Sequence, residues 1–269
     1  MMSKFWASDF WGFGGYQREV EGYLSRQHLT FVTALMVIMV TLAIVLGKRN
    51  RNKPMAKKNI ALIVAALIMD GTEFTKVLLK CTLGNDPQCW KYALPLFMCS
   101  IQLITLPLAA FTKGRIREAS LDCVCIFGVI GSVLGTYLAG QNYGNYPVWS
   151  LDNVASALTH GSMGFAALYI IISGMTSMKK QNIWVTFGIM LVFCLAAHIA
   201  NLIIGCNYMF MMNGGGTPYD ILYNWVGGHE VLYPVMVVLL FMVYISVAYG
   251  AYFLHKKLNE CKEKAKVRQ

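Results

Sequence analysis

Apolar residues in this chain come in runs of about twenty, separated by short polar stretches, from residue 29 to residue 254. A helix rises 1.5 Å per residue, so a run of that length crosses the roughly 30 Å hydrocarbon layer of a bilayer. The runs predict seven transmembrane helices at about 28–46, 60–79, 92–112, 121–140, 153–174, 184–204 and 232–254. The expected fold class is all-α, a polytopic membrane bundle. No internal repeat and no Pro/Ser-rich linker divides it, so one domain is expected over 28–254, preceded by an N-terminal tail, 1–27, and followed by a basic tail, 255–269.

Composition agrees with this pattern. Apolar residues make up 57% of the 269, charged residues 13%, and the mean hydropathy is +0.51. A soluble domain carries about a quarter charged residues, so most of this chain needs an apolar solvent. A multi-pass protein of the cell membrane is expected. No cleavable secretory signal is expected, since apolar residues begin only at His28 and Leu29 and no small-residue cleavage motif follows.

The net charge of +10 sits in clusters beside the runs. The first loop holds Lys48, Arg49, Arg51, Lys53, Lys57 and Lys58, the third Lys113, Arg115 and Arg117, and the fifth Lys179 and Lys180. The C-terminal tail adds Lys256, Lys257, Lys262, Lys264, Lys266 and Arg268. The alternate loops carry only Lys80 and Lys91. The positive-inside rule then places the N-terminus outside and the C-terminus inside. The same clusters are expected to meet anionic lipid headgroups at the cytoplasmic face. Without a basic domain interleaved with aromatics, no nucleic-acid partner is expected.

The N-terminal tail gathers Phe5, Trp6, Phe10, Trp11, Phe13 and Tyr16 and reads as an interfacial segment on the outer face. The stretch GQNYGNYPVW after the fourth run has the same character. Cys81 and Cys89 fall together in the second loop, where an oxidising exterior permits a disulfide. Neither a CxxC pair nor a zinc spacing occurs, and no metal or soluble cofactor is expected.

Polar residues inside the runs carry the candidate chemistry, because ionisable groups in a bilayer must face protein or water. In the second run Asp70, Glu73 and Lys76 are three apart and share one helix side. A Glu73–Lys76 pair that only anchors the helix is one reading; a charged pocket wall is the other. Cys99 and Gln102 lie in the third run, between Pro95 and Pro107. In the fifth run Asn153, Ser156 and His160 form a stripe, with Gly161 and Gly164 permitting close helix approach. In the sixth, His198, Asn201, Gly205 and Tyr208 line up, with Asn207 beside them.

Run direction gives these residues a depth. Cys99, His160, His198 and Asn201 each fall about two helical turns below the outer surface, with Glu73 in the same half and Asn207 and Tyr208 at the mouth. The inner halves are nearly all apolar, so one pocket open to the outer leaflet is expected. The ester linkages of a glycerophospholipid lie at that depth. A thiol beside an imidazole suits nucleophilic attack on such an ester, with Gln102 or Asn201 donating to the oxyanion. Spacing also leaves a Cys206–His198 pair open. A transporter or binding protein for a small amphiphile, with no covalent step, is the alternative, as is a scaffold whose polar residues only lock helices.

The segments LPLFMCSIQ (94–102), ALTHGSMGF (157–165) and NLIIGCNYMFM (201–211) resemble bacterial YwaF-like integral membrane proteins, which are similar to the transmembrane protein 164 family of acyltransferases. The resemblance implies acyl transfer between membrane phospholipids and lysolipids, without a cofactor. It also implies that Cys99 is the acyl-carrying nucleophile and His160 its base. Asp70, Glu73, Gln102, His198, Asn201, Asn207 and Tyr208 are then the candidate substrate-binding residues.

Overall fold

The structure is a computed structural model and describes residues 11–12, 18–83, 87–175 and 178–267. Phe5, Trp6, Phe10, Phe13 and Tyr16 of the expected interfacial segment lie outside the described residues. Among those described there is no β-strand. The helices in chain order are α1 (Arg26–Asn50), α2 (Met55–Leu83), α3 (Gln102–Phe111), α4 (Gly114–Tyr137), α5 (Gly140–Asn145), α6 (Leu151–Ser173), α7 (Ile183–Ile204), α8 (Tyr219–Trp225) and α9 (Leu232–Val267). Among the described residues, five stretches are long and apolar enough to cross a membrane: Arg26–Asn50, Gly114–Asn145, Leu151–Ser173, Lys180–Ile204 and Leu232–Leu258. This is an integral membrane protein. The chain divides into two compact units, Met1–Thr176 and Ser177–Gln269.

Local sequence sets the helix ends. Ser25 and Ser150 cap α1 and α6 by accepting from the backbone N–H groups of His28 (3.2 Å) and Asn153 (3.1 Å). Gly174 (φ 68°) and Gly205 (φ 76°) close α6 and α7 in the left-handed region, which glycine enters without a Cβ penalty. α9 continues through the basic stretch from Lys256, so the expected tail extends the last helix.

The third apolar run does not form the single helix expected over 92–112. A short 3-10 turn, Cys89–Tyr92, leads into irregular backbone, and helix begins only at Gln102. Two features account for this. Pro95 has no N–H and disfavours helical geometry at Leu94. The Ser100 hydroxyl then accepts from the Phe97 N–H (2.9 Å), a donor that a continuous helix would pair four residues back, while the Phe97 carbonyl receives the Ile101 N–H (3.0 Å), so helical bonding starts at Phe97 and does not run through it. The second run does form a helix, and the three charges Asp70, Glu73 and Lys76 within it set α2 apart from the five apolar stretches.

In the first unit α6 is the hub: α4, α1 and α2 all pack on it, and α3 fits against α4 and α2. The core is built from small and flexible residues, among them Ala65, Ala66 and Met69 of α2, Ala109 of α3, Val124 of α4 and Met163, Ala166 and Ala167 of α6. Where two membrane helices meet, lipid tails compete on equal apolar terms, so close backbone approach through small residues holds the contact. α4 supplies Gly128, Gly131 and Gly135 for this. A methyl placed on Gly128 lies 2.8 Å from Ala167 Cβ and 3.0 Å from the Met163 carbonyl oxygen. His28 ties α1 to α4: the Leu24 N–H donates to its Nδ1 (3.2 Å), which leaves Nε2–H to donate to the Thr136 carbonyl (3.0 Å). Its ring stacks on Tyr143 of α5 at 3.8 Å. The Cys81–Cys89 disulfide forms, joining α2 to the 3-10 turn before the broken run.

The second unit packs α7 against α9, with Met190, Cys194 and Ala197 buried on the first helix, Val237, Phe241 and Ile245 on the second, and Thr186 Oγ1 and the Tyr249 hydroxyl 3.0 Å apart.

The glycine contacts yield a direct test. Gly128→Ala is expected to lower stability by about 1–3 kcal/mol through overpacking. Gly188→Ala in α7, where nothing stands within 4 Å of the added methyl, is expected to leave stability unchanged or raise it through helix propensity. Thermal unfolding of the purified protein in one detergent measures both.

Candidate functional site

The first unit brings three of the predicted elements together: Cys99, His160 and the charged side of α2. Cys99 sits on the turn just before α3, partly buried, with the backbone N–H groups of Cys99 and Ser100 turned toward its sulfur. An interrupted helix at membrane depth is tolerated where the irregular backbone is buried in protein or lines a cavity. The interruption takes Cys99 out of a regular helix face.

His160 is carried by α6. Its Nδ1 lies 2.7 Å from the Ser156 carbonyl oxygen and 3.3 Å from the Ser156 hydroxyl. A carbonyl only accepts, so the neutral ring keeps its hydrogen on Nδ1 and donates it there, leaving Nε2 with a lone pair. Nε2 and the adjoining ring carbon occupy the space where a Cβ on Gly135 would stand. One turn back along α4, a methyl on Gly131 would lie 3.9 Å from Cys99 Cβ and 2.9 Å from the sulfur of Met163. The thiol and the imidazole thus lie against adjacent glycines on α4, about one 5.4 Å turn apart along its axis.

α2 supplies the charges. Glu73 and Lys76 form an ion pair at 2.6 Å, largely shielded from solvent. Both act electrostatically on Cys99 and on His160, which puts the pair beside the same site. Asp70 is one turn away on α2, and its Oδ1 is buried with no hydrogen-bond partner. A buried carboxylate oxygen left unpartnered carries a desolvation cost that a ligand hydroxyl or ammonium would relieve. At the far end of α2, Lys80 meets Asp152 of α6 at 2.7 Å.

Gln102 is not part of this cluster. It is fully buried; its Nε2 donates to the Cys123 carbonyl (3.3 Å) and its Oε1 accepts from Thr105 (3.0 Å). Cys123 is eight residues from Gly131, about 12 Å along α4. The amide pins α3 to α4 below the thiol.

His198, Asn201, Asn207 and Tyr208 belong to the second unit, where three of them build a loop. Asn201 accepts from the Tyr208 N–H (2.6 Å) and donates to the Tyr208 carbonyl (3.0 Å). Asn207 Oδ1 accepts from the N–H groups of Met212 (2.9 Å) and Asn213 (3.4 Å), and its Nδ2 donates to the Asn213 carbonyl (2.9 Å). The Tyr233 hydroxyl donates to the Phe210 carbonyl (2.6 Å). These bonds hold Met209 and Phe210 at φ 54° and 55°, a region disfavoured for side chains of that size. The N-x-x-x-G-x-N-Y-M element is therefore a folding device: Gly205 stops α7 and the two asparagines satisfy the loop that follows. His198 Nδ1 is buried without a hydrogen-bond partner, and Cys206 stands beyond the Gly205 stop.

Sequence reasoning missed the two glycines that seat the thiol and the ring. Their signal was present, since Gly128, Gly131 and Gly135 are spaced three and four apart, the interval of one helix face. It also passed over the buried His28. Among the described residues, no group of three or more His, Cys, Asp or Glu side chains is arranged to hold a metal ion.

Comparison with known proteins gives one family. No curated protein and no solved structure matches the chain. The sequence model of the TMEM164 family matches residues 23–249, which cover both units and every candidate residue named above, and the chain belongs to that family.

Proposed function

We propose that this protein is a membrane-embedded phospholipid acyltransferase in which Cys99 is the nucleophile and His160 its base. The observation that carries the reading is the seating of Cys99 and His160 against adjacent glycines of α4, with the His160 tautomer set by the Ser156 carbonyl. Nε2 takes the thiol proton as sulfur attacks the ester carbonyl of a phospholipid. The N–H groups of Cys99 and Ser100 receive the oxyanion, the role first given to Gln102 or Asn201. Collapse breaks the ester carbon–oxygen bond; the departing lysolipid alkoxide takes the proton back from Nε2, and the acyl chain remains on Cys99 as a thioester. A second lysolipid hydroxyl, deprotonated by Nε2, attacks the thioester and leaves with the chain, restoring the thiol. Asp70, with its unpartnered oxygen, would bind a headgroup, and the Glu73 carboxylate would steady the imidazolium.

The reading includes seven spans, with α2 and the interrupted run ending in α3 added to the five apolar stretches, and the N-terminus outside. The alternation of basic loops supports this orientation. The Cys81–Cys89 disulfide supports it too, because it falls in a loop assigned to the oxidising side. Kinship with the YwaF-like proteins fits the same reading.

With phosphatidylcholine and a labelled lysophospholipid in liposomes, Cys99→Ala is expected to abolish both acyl exchange and a hydroxylamine-sensitive acyl adduct seen by mass spectrometry. Full exchange by that variant would refute the mechanism, and a protein that binds lipid but never acquires an adduct would be an amphiphile binder. His160→Ala is expected to slow exchange by about 10²–10⁴-fold, the usual contribution of a general base.

A second pair of variants separates base geometry from general damage. Gly135→Ala puts a methyl where the His160 ring lies and is expected to cost exchange nearly as much as His160→Ala, with helical content unchanged by circular dichroism. Ser156→Ala keeps the carbonyl that fixes the tautomer and is expected to stay within roughly tenfold of the native rate.

A further inference from the structure

α1 and α2 both rest on α6 but scarcely touch one another. They are joined at one end by the turn at 51–54, so the seam between them forms a groove whose floor is α6. Its cavity measures about 650 Å³. The walls are apolar for most of their length, with Leu42 and Leu46 of α1 facing Ile60 and Val64 of α2 across Gly161 and Phe165 of α6. From Leu35 to Asn50 the groove follows α1 for fifteen residues, about 22 Å, more than the half-thickness of a bilayer's hydrocarbon layer.

The closed end is different. Asn50, Lys53 and Lys57 line it. Neighbouring polar groups at that end are already used: Lys58 Nζ donates to the Ser173 carbonyl at 2.7 Å, and Arg117 donates to Asn59 Oδ1 at 2.9 Å and the Ala109 carbonyl at 3.1 Å. The Asn50 amide donates to the Tyr169 hydroxyl at 3.0 Å, which fixes its orientation. Lys53 and Lys57 make no ion pair with a carboxylate among the described residues. Two uncommitted cations therefore stand at the head of a slot that is otherwise hydrocarbon. His160 lies on another side of α6, against α4, so the groove is separate from the thiol site.

We infer that this seam is a binding site for one anionic glycerophospholipid, its acyl chain lying between α1 and α2 and its phosphate held by Lys53 and Lys57. A bilayer lipid of any kind can wet an apolar groove; the lysine pair selects for net negative charge, because each cation near a lipid headgroup favours an anionic one. The lipid closes a helix–helix seam that protein side chains leave open. This inference does not rest on the acyl-transfer reading and is expected to hold equally in the Cys99→Ala variant.

The test is native mass spectrometry of the full-length protein, delipidated in detergent and offered equal amounts of phosphatidylglycerol and phosphatidylcholine with identical chains. The native protein is expected to retain one phosphatidylglycerol, in preference to phosphatidylcholine by on the order of tenfold or more. Lys53→Gln/Lys57→Gln is expected to bring the two lipids near parity, while Lys256→Gln/Lys257→Gln, with the same charge loss on α9, keeps the preference. Val64→Trp, at an exposed groove position that tolerates a larger side chain, is expected to lose the retained lipid with both lysines intact. Equal retention of the two lipids by the native protein overturns the inference. So does an equal loss of preference in the α9 pair, which would indicate surface charge alone, or undiminished retention by Val64→Trp.

Discussion

The close approach of α4 to α6 is the constraint on which the first unit depends. In a membrane the competing solvent is hydrocarbon, so burying apolar surface gives little drive for association, and the contact must come from backbones near enough for dispersion to accumulate. Gly128 admits Ala167, Gly131 admits Met163, and Gly164 on the other helix admits Ser132 and Met39. The same omission of side chains makes room for an imidazole. At Gly135 the space that close packing elsewhere fills with a methyl or thioether holds His160 instead. Helix packing and the candidate chemistry are thus one structural decision.

The helix pattern was legible because apolar run length is a strong signal and the runs are separated by polar loops, every second one basic. Arg26–Asn50, Leu151–Ser173 and Ile183–Ile204 begin and end within a few residues of the runs that predicted them. The run at 92–112 was not legible in this way. Its hydropathy is that of a helix, but its conformation is decided by Pro95 and by the Ser100 hydroxyl taking the Phe97 N–H. A hydropathy count does not register one side chain bonding its own backbone three residues away.

The site was legible in part for a related reason. Cys99 and His160 stood out as reactive groups in apolar runs, and Glu73 with Lys76 as charges needing a partner. Gln102 and Asn201 stood out equally and are engaged in holding structure: one pins α3 to α4, the other folds a loop onto α7. A buried amide that grips a neighbouring backbone and one that awaits a substrate have the same appearance in a sequence. What distinguishes them is the location of the nearest carbonyl, which is a tertiary fact. The glycines of α4 were overlooked for the opposite reason, since a residue without a side chain names no chemistry.

The Cys81–Cys89 disulfide has a mechanical meaning for the thiol ten residues beyond it. Cys81 is on the last turns of α2, the helix that also carries Glu73 and Lys76. The chain between Cys89 and Cys99 is mostly irregular and on its own would permit many settings of the thiol relative to those charges. A covalent bond at its start narrows that freedom by tethering the segment to α2 itself. The charges of α2 and the Cys99 turn thus belong to one covalently tethered stretch of chain.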